Sequence, residues 1–521
     1  MFDAKLQKLD KLFNEFNTSD KPGVVVGVTR NGKTEYAKAY GMANLEYGLA
    51  LTLDSVLQVG SVSKQFTAFA ILLLSEEGKI DLDAPVKTYL DYFPEFDHEI
   101  TIRHMVHHVS GLRSHIVFGM LNGIAMDDVF IQDTIMTMAK RQKDLNFEPD
   151  TVFTYCNLTY CLMAEIVAKV TGRSFREYVD ETIFKPLGMN HSFFHDRKFE
   201  LIKNKAEAYT VSPEGILNCP IVHSTYGSTN LFTTVKDMTK WAEELMNPVI
   251  FPKEIIEKAF TPHVCKNGYK TGYGFGFVVH DHQGKLAVEH AGSDAGYRAF
   301  IYTIPEEKTA VLLLSNRGDF ASMRFVKKTM NIVLSLPDTD STLQKIPDDI
   351  DMSGMYYIEK WAMKASFEKS KEGTFLSLPG GKLEVLKESD NTYVIVDMDM
   401  KLSLDGEGNI WVSLYGYGGY GNKECAKKIH AIAVPDADRK YAGKYIGTEF
   451  DAVHDVVFTE NALILCNNKT GEMPFQKYDN GIYIDTVFYM VTIRFEKDKM
   501  YISTERAMNI EFIKISSCNK R

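Results

Sequence analysis

The amino-acid sequence predicts an α+β domain followed by two small antiparallel β-barrels. Three observations lead to this fold class. Strand-like stretches stand at both ends of the first 335 residues, with helical patterns between them. Residues 336–350 change to Pro, Asp, Ser and Thr, as in a linker, and almost all of the chain beyond them consists of short strand patterns and turns. A sheet that distant segments complete and helices flank explains the first half.

We therefore expect an α+β domain at residues 1–335, a linker at 336–350, and barrels at 351–436 and 437–521. A chain of 521 residues is too long for one ordinary core. Its 45% hydrophobic and 25% charged residues are typical of a globular protein. The net charge of −10 argues against a nucleic-acid partner, because binding phosphate requires a basic face.

The N-terminal segment predicts a helix and no targeting signal. Residues 1–17 alternate charged and apolar side chains, which indicates an amphipathic helix rather than a signal peptide. The longest apolar run, residues 69–74, is too short to cross a bilayer. Seven cysteines without a Cys-x-x-Cys pair favour reduced thiols. We therefore expect a cytoplasmic protein with no transmembrane segment.

The first half begins with a predicted β-hairpin, in which Asn31-Gly32 supplies the turn between residues 24–29 and 34–37. Helical patterns follow at residues 64–77, 159–171 and 175–184, and strand patterns at 275–280, 286–290, 300–304 and 310–315. These late strands are expected to form one antiparallel sheet with the early hairpin.

A short repeat divides the second half into two units. Each β-rich unit of under about a hundred residues opens on a similar stretch: Ser353-Gly354-Met355-Tyr356-Tyr357 and Ala442-Gly443-Lys444-Tyr445-Ile446. Two successive barrels explain this repeat better than one large sandwich.

The leading chemical motif is Ser61-Val62-Ser63-Lys64, which opens a strongly helical run. A Ser-x-x-Lys at a helix start puts hydroxyl and amine one turn apart on one face. A lysine with a lowered pKa can then act as base for a serine nucleophile. The pattern also occurs at Ser366 and Ser517, but in β-rich sequence. We therefore predict Ser61 as the nucleophile.

The second motif, Tyr155-Cys156-Asn157, precedes a helical pattern. A phenolic oxygen can carry the proton, and an amide can position the lysine and a substrate carbonyl. Tyr-x-Asn also recurs at Tyr420 and Tyr478, so its spacing alone carries no weight.

The third motif, His290-Ala291-Gly292-Ser293, ends a predicted strand. Small residues here let a substrate lie along the strand edge, and the backbone N–H groups of Ser293 and Ser61 can form an oxyanion hole. A competing His282-Gln283-Gly284 falls in a predicted hairpin turn, where we expect it to be solvent-exposed.

Together, the three motifs resemble those of the penicillin-recognising serine hydrolases, in that family's order. The family holds class C β-lactamases, DD-peptidases, some carboxylesterases and D-aminopeptidases. Supporting segments at residues 101–112, 184–189 and 273–276 also resemble the family's pattern. The resemblance covers residues 1 to about 335 and implies a β-lactamase-like fold there, with lipocalin-like barrels after it.

The resemblance also implies roles for the matching residues. Ser61 would be acylated, and Lys64 and Tyr155 would share the proton transfer. Asn157 would help to orient them, while His290, Gly292 and Ser293 would line the substrate and oxyanion side.

Two departures from the family pattern stand out. Pro149-Asp150 replaces the usual Pro-Gly, and His290 stands where most penicillin-binding enzymes have a lysine. Histidine is only partly charged near neutrality, which weakens the prediction of β-lactams or C-terminal carboxylates as substrates.

The whole-chain architecture resembles that of the D-aminopeptidases, which implies a short peptide or amide substrate with an N-terminal D-residue. The sequence does not identify the carboxylate that would bind its amine; Asp294 is near the third motif, but loop carboxylates are mostly solvated. A carboxylesterase, or a DD-peptidase or β-lactamase-like penicillin-binding protein, stays the alternative.

The sequence offers two alternative function classes, a metal enzyme and a non-enzymatic binding protein. The clustered His104, His107 and His108 lack a completing carboxylate or cysteine set, so we expect no metal and no cofactor. A non-enzymatic protein would bind a small ligand or another subunit through the barrels, whose edges also offer a homodimer contact. The aromatic segment at residues 415–421 is expected either to reach over the catalytic cleft or to be an exposed hairpin loop.

Overall fold

The computed structural model describes residues 2–121, 131–197, 199–212, 215–378, 381–398, 400–414, 422–467, 471–487 and 491–517. The helices of these residues are α1 (Phe2–Phe13), α2 (Ser63–Glu76), α3 (Ile102–Val106), α4 (His115–Leu121), α5 (Gln132–Arg141), α6 (Asn157–Thr171), α7 (Phe175–Val179), α8 (Lys185–Leu187), α9 (Val235–Met246), α10 (Lys253–Ala259) and α11 (Ser322–Leu334). None of them is long and apolar enough to cross a membrane.

The first half contains strands β1 (Val24–Arg30), β2 (Lys33–Tyr40), β3 (Met42–Asn44), β4 (Leu49–Ala50), β5 (Leu57–Gln58), β6 (Phe193–Phe194), β7 (Tyr209–Ser212), β8 (Gly215–Asn218), β9 (Leu231–Thr233), β10 (Val278–His282), β11 (Lys285–Asp294), β12 (Tyr297–Ile304) and β13 (Thr309–Ser315). Its main sheet has the antiparallel order β10-β11-β12-β13-β1-β2. Because β1 pairs with β13, from Val24 opposite Ser315 onwards, the two ends of the domain complete one sheet. The predicted α+β fold is confirmed.

One predicted strand starts later than expected. The strand placed at residues 275–280 begins at Val278. The chain before it turns back on itself, with the Gly274 N–H donating to the carbonyl of Phe277 at 2.8 Å. A chain that reverses over three residues cannot continue the ladder.

Two hydrophobic layers cover the main sheet. Strand β1 shows the alternation, because Val25 faces the core that contains α2 and α6, while Val24 and Val26 face the core that contains α1 and α11. Helix α2 lies at the centre of the first core and is buried around most of its circumference. The helix that follows Ser61 is therefore fixed by packing on all sides.

Beyond residue 335 the strands are β14 (Gln344–Lys345), β15 (Gly354–Ile358), β16 (Met363–Lys369), β17 (Thr374–Leu378), β18 (Gly381–Ser389), β19 (Thr392–Ile395), β20 (Met400–Leu404), β21 (Ile410–Leu414), β22 (Lys423–Ile429), β23 (Ala431–Ile432), β24 (Gly443–Gly447), β25 (Val453–Phe458), β26 (Leu463–Asn467), β27 (Gly471–Tyr478), β28 (Tyr483–Asp485), β29 (Thr492–Glu496), β30 (Lys499–Thr504) and β31 (Ala507–Ser517). In the described residues, β15–β22 close into one eight-stranded antiparallel barrel and β24–β31 into a second. The prediction of two small barrels is confirmed.

The repeated sequences open the two barrels at equivalent places. Strand β15 starts the first barrel and pairs with its last strand, β22, as β24 starts the second and pairs with β31. One further short strand, which precedes the repeated sequence, pairs with each barrel. Strand β14, inside the predicted linker, pairs with β18, and β23 pairs with β27 of the second barrel. The exact domain limits stay predictions.

Candidate active site

Ser61 lies in a one-turn 3-10 helix, Gly60–Val62, that runs directly into α2. This places Lys64 one turn further along on the same face. The Lys64 Nζ donates a hydrogen bond to Ser61 Oγ at 3.1 Å and another to the carbonyl of Ser228 at 2.7 Å. The spacing predicted from the motif therefore brings hydroxyl and amine into contact.

Two glycines let strand β11 approach the serine turn. A Cβ on Gly60, whose φ is +52°, would lie 2.6 Å from the Ser293 nitrogen. A Cβ on Gly292 would lie 2.0 Å from the carbonyl oxygen of Val59. Strand β10 pairs with β11 only as far as Glu289. In the described ladder, residues 290–294 therefore pair with β12 on one side, and their other edge faces Ser61. The Ser293 N–H thus lies beside the serine turn, where an oxyanion hole requires it.

The lysine is held in a form suited to accept a proton. Its side chain is completely buried, and burial is the main cause that lowers the pKa of Lys64 to about 7. The nearby positive charge of Arg506 lowers it further, while the thiol of Cys161 and the carboxylate of Asp294 oppose the shift. Near neutrality a large fraction of Lys64 is therefore an uncharged amine and can act as a base.

The second motif closes the other side of Lys64. Tyr155 lies in the segment before α6, and its ring centroid is 4.8 Å from Lys64 Nζ. Asn157 is the first residue of α6 and lines the same cavity as Ser61. Four of the other five predicted site residues therefore lie beside Ser61 or Lys64. The fifth, His290, has its ring centroid 6.2 Å from that of Tyr155.

His290 is buried and held by two hydrogen-bonding partners. Its Nε2 lies 3.0 Å from Tyr273 Oη and its Nδ1 lies 2.6 Å from the Ala291 carbonyl oxygen. Burial first, and Lys64 second, lower the pKa of His290 to about 3. The imidazole is therefore neutral at physiological pH and offers no positive charge at the third motif.

A second histidine, which the sequence analysis did not assign to the site, organises the second motif. His108 is fully buried, and its Nδ1 accepts the N–H of Cys156 at 3.1 Å. Its ring packs 4.4 Å from that of Tyr155 and 4.8 Å from that of Tyr273. Burial, then the charge of Lys64, keeps the pKa of His108 far below its usual range. A neutral ring thus fixes the position of Tyr155.

A cavity of about 470 Å³ opens beside the Ser61 hydroxyl. Ser61, Asn157 and Ser293 line it together with Asp294, His223 and His115. A run of small and apolar residues, 219–222, completes the wall. The cavity is large enough for a small ligand and reaches the nucleophile directly.

Asp294 places a negative charge in this cavity, on a side chain that is 15% exposed. Its Oδ2 accepts from Gln58 Nε2 at 2.6 Å and from Thr229 Oγ1 at 2.5 Å, and its Oδ1 lies 3.1 Å from His223 Nε2. Burial opposes ionisation, but the charge of His223 and these hydrogen bonds outweigh it and hold the pKa of Asp294 well below its usual range. In return, although burial lowers the pKa of His223, Asp294 raises it overall.

Gln58 links this carboxylate to the serine turn. Its Oε1 accepts the Gly60 N–H at 2.8 Å while its amide donates to Asp294. One signal for this contact is present in the sequence, since Gln58 stands two residues before Gly60, which precedes the Ser61 motif. His223 and Thr229 come from a loop with no motif of its own.

The second barrel reaches the site through one turn. Arg506, between β30 and β31, holds its guanidinium carbon 5.4 Å from the Tyr155 ring centroid. The first barrel contributes Trp361 and Met363 to a neighbouring cavity of about 260 Å³ that Tyr155 and Arg506 also line. The cleft therefore has a wall that the catalytic half alone does not supply.

The competing motifs have other environments. His282 lies before the predicted turn but is buried rather than exposed, because Tyr302 and Asn331 both bond its ring. Ser366 and Lys369 lie on strand β16, where residues three apart face opposite sides, and Lys369 binds backbone carbonyls instead. Residues 415–421, the aromatic segment, lie outside the described residues.

The clustered histidines in and after α3 contact separate partners. The Thr101 N–H donates to Nδ1 of His104, while His107 Nδ1 lies 2.9 Å from the Tyr273 carbonyl oxygen. A different group brings metal-binding atoms together in the described chain: Asp150, His263 and Cys265 place theirs within 4.8 Å of one another. Asp150 and His263 already pair at 2.6 Å, so the residue that replaces the family's glycine anchors a loop.

Comparison with known proteins adds three kinds of similarity. The family model described as Beta-lactamase matches residues 9–331. A D-aminopeptidase of Brucella anthropi is 27% identical over 374 residues, which cover 70% of this chain and 69% of that protein.

Two solved structures share the fold. The octameric penicillin-binding protein homologue from Pyrococcus abyssi is 21% identical, with a TM-score of 0.58 over 98% of this chain and 100% of that one. A D-amino acid amidase from Ochrobactrum anthropi SV3, complexed with L-phenylalanine amide, is 18% identical with a TM-score of 0.54, covering 64% of this chain and 99% of its own. The first of these similarities extends through both barrels.

Proposed function

This chain belongs to the beta-lactamase family, and we propose that it is a serine hydrolase that cleaves small amides or short peptides with an N-terminal D-residue through an acyl-enzyme. The observation that carries the proposal is the contact of Ser61 Oγ with a buried lysine whose pKa is lowered to about 7. The D-aminopeptidase relative and the D-amino acid amidase with the same fold support the substrate class.

Acylation begins when neutral Lys64 takes the proton of Ser61 Oγ as the oxygen attacks the substrate carbonyl. The backbone N–H groups of Ser61 and Ser293 bind the oxyanion that forms. Tyr155, next to the lysine, passes the proton to the leaving nitrogen as the amide C–N bond breaks. Water then attacks the ester at Ser61, and Lys64 accepts a proton from that water. Lys64 returns the proton to Ser61 Oγ as the acyl C–O bond breaks, which releases the amino acid and restores the serine hydroxyl.

Asp294 is the residue we assign to the substrate's α-amine. It carries a stable negative charge in the cavity that contains Ser61, and its Oδ1 has acceptor capacity beyond the contact with His223. An ammonium group would donate to the remaining lone pair of Oδ1, while His223 keeps its own contact with that oxygen. Because the other walls of the pocket are largely apolar, the contact with Asp294 makes the free amine of the substrate important for binding.

An Asp294→Asn variant tests this assignment, because it keeps the size of the side chain and removes its charge. We expect kcat/KM for D-alanine p-nitroanilide to fall by roughly 10- to 100-fold, the range for a lost charge-assisted hydrogen bond. Hydrolysis of p-nitrophenyl acetate, which has no amine, serves as the matched control and should change little. Equal losses on both substrates would contradict a role in amine recognition.

The class of reaction is tested by the turnover of D-alanine p-nitroanilide, L-alanine p-nitroanilide, p-nitrophenyl acetate and nitrocefin by wild type and Ser61→Ala. Ser61-dependent cleavage that favours the D-anilide supports the proposal. Cleavage of the ester alone would keep Ser61 as nucleophile and make the protein a carboxylesterase. Wild-type rates in Ser61→Ala would overturn the mechanism.

A further inference from the structure

A cluster of three metal-binding side chains lies outside the cavity that contains Ser61. Asp150, His263 and Cys265 each place one oxygen, nitrogen or sulfur atom within 4.8 Å of the other two. None of the three is among the described residues that line the cavity at Ser61. The acyl transfer proposed for Ser61 therefore uses none of them.

The three atoms are close to the spacing that one zinc ion imposes. Zinc holds nitrogen and oxygen ligands at about 2.0–2.2 Å and sulfur at about 2.3 Å, so the atoms of a tetrahedral site lie about 3–4 Å from one another. His263 Nε2 lies 2.6 Å from Asp150 Oδ1, so both atoms are directed at the same point. A cation that replaces the proton between them requires only a small separation of the two side chains.

Backbone hydrogen bonds hold the ligand residues in place. The Asp150 N–H donates to the carbonyl of Val109 at 2.9 Å. The Cys265 N–H donates to the carbonyl of Tyr269, also at 2.9 Å. The N–H of Lys266, the residue after Cys265, donates to Asp150 Oδ2 at 3.1 Å and joins the two segments. Ligands that are already positioned lose little conformational freedom when an ion binds.

Burial and charge at the cluster suit a divalent cation with one soft ligand. Cys265 is 3% exposed, whereas the side chains of Asp150 and His263 are 21% and 16% exposed, so an ion can enter from solvent. A carboxylate and a thiolate carry two negative charges and a neutral imidazole carries none, which balances a 2+ ion. Thiolate and imidazole favour zinc over magnesium and calcium, which prefer oxygen ligands.

An ion at this position joins two segments that lead to the catalytic motifs. Asp150 lies five residues before Tyr155 in the sequence. The His263 N–H donates to the carbonyl of Tyr273 at 3.3 Å, and the Tyr273 hydroxyl lies 3.0 Å from His290 Nε2. The cluster therefore supports the active site from behind, without contact with the reacting atoms.

We propose that Asp150, His263 and Cys265 form a structural Zn²⁺ site, with water as the fourth ligand. The ion ties the segment before Tyr155 to the segment before Tyr273. Cys265 binds as the thiolate, and its proton leaves to solvent. Asp150 and His263 are 113 positions apart in the chain, so no local pattern joins them. We therefore replace the expectation of no metal for this part of the fold.

Co²⁺ tests the site because its spectrum reports both sulfur ligation and geometry. After treatment of the full chain with a chelator, we expect added Co²⁺ to give a sulfur-to-cobalt charge-transfer band and the visible bands of a tetrahedral complex, and Zn²⁺ to remove both. Cys265→Ser should lose the charge-transfer band. It should also weaken Zn²⁺ binding, measured by isothermal titration calorimetry, by about 100-fold or more, since even outer-shell partners contribute about 10- to 100-fold.

The matched control is Cys425→Ser, at a partly exposed cysteine of the first barrel that has no such group of ligands among the described residues. It should keep the wild-type spectrum and Zn²⁺ affinity. Because Zn²⁺ binds the native state, it should raise the Tm of wild type and of this control but not that of Cys265→Ser.

Two further variants guard against misfolding of Cys265→Ser. Asp150→Asn and His263→Gln keep the thiol and, with circular dichroism unchanged, should each weaken Zn²⁺ binding by a similar factor. A wild-type protein without the charge-transfer band, or a band that persists in Cys265→Ser, would overturn the site and leave Asp150 and His263 as a hydrogen-bonded pair only. Neither result bears on the proposed function, which the comparison of wild type with Ser61→Ala decides separately.

Discussion

The two walls of the cleft around Ser61 are built in different ways. The wall that holds Asp294 comes from the catalytic half alone, through side chains that bond directly to the serine turn. The other wall, beside Tyr155, combines residues of the catalytic half with residues of both barrels and depends on how the barrels dock. We infer from this contrast that the chemical step belongs to the first half of the chain, while the barrels add a surface beside Tyr155.

Removing the base, Lys64, should have the largest effect on kcat, because it prevents the chemical step while both walls of the cleft stay intact. We expect Lys64→Ala to lower kcat by roughly 10³- to 10⁴-fold, since nucleophile and base act as one unit. The measurement is steady-state hydrolysis of D-alanine p-nitroanilide, with circular dichroism as the check on folding. A loss of less than about tenfold would show that another group deprotonates Ser61.

Breaking the docking of the second barrel should have the next largest effect. In Arg113→Gln, Glu449 stays buried without its partner, which costs the docked state about 3–5 kcal/mol. Faster amide hydrogen exchange in residues 504–508 would report this loss.

The matched control is Arg141→Gln, at a second arginine that pairs across the same two units. The Arg141–Asp451 pair is exposed at 2.8 Å, and exposed pairs contribute under about 1 kcal/mol. Exchange in residues 504–508 should therefore stay close to wild type. Equal exchange in the two variants would contradict the idea that the buried pair anchors the turn.

The pH dependence of kcat/KM should show the smallest effect. It tests whether Arg506 of the second barrel influences the base Lys64. Protonated Lys64 cannot accept a proton, so kcat/KM should fall roughly tenfold per pH unit below about 7. Burial is the main cause of that pKa, and the positive charge of Arg506 adds to it. Arg506→Gln should therefore raise the pKa of Lys64 and move the acid limb of the profile to higher pH. A limb that stays in place would show that the second barrel has no electrostatic influence on the base.

The sequence predicts those site residues whose positions depend on local geometry. Ser61 and Lys64 are one helical turn apart, so their contact depends only on the local helix that runs from Gly60 into α2. Three of the four substrate and oxyanion residues, Asn157, Gly292 and Ser293, lie beside them; they belong to motifs with a recognisable local structure. The fold class followed from the order of strand and helix patterns and from the repeat that opens each barrel.

The remaining site residues depend on long-range contacts. Arg506 sits in a Glu-Arg turn that, by sequence, is typical of a solvated hairpin. Asp294 also has the sequence context of a solvated carboxylate, and its contacts with Gln58, Thr229 and His223 make it a largely enclosed anion instead. Whether a loop charge is solvated or buried is decided by segments up to hundreds of residues away, which no local pattern encodes.

The most direct test of the central claim is the rate at which a fluorophosphonate probe labels Ser61 as a function of pH, with the site mapped by peptide mass spectrometry. We predict labelling confined to Ser61, a rate that rises through pH of about 7 as Lys64 loses its proton, and no label in Ser61→Ala. Labelling at another residue, or a rate at Ser61 that does not change across that range, would contradict a serine nucleophile activated by Lys64.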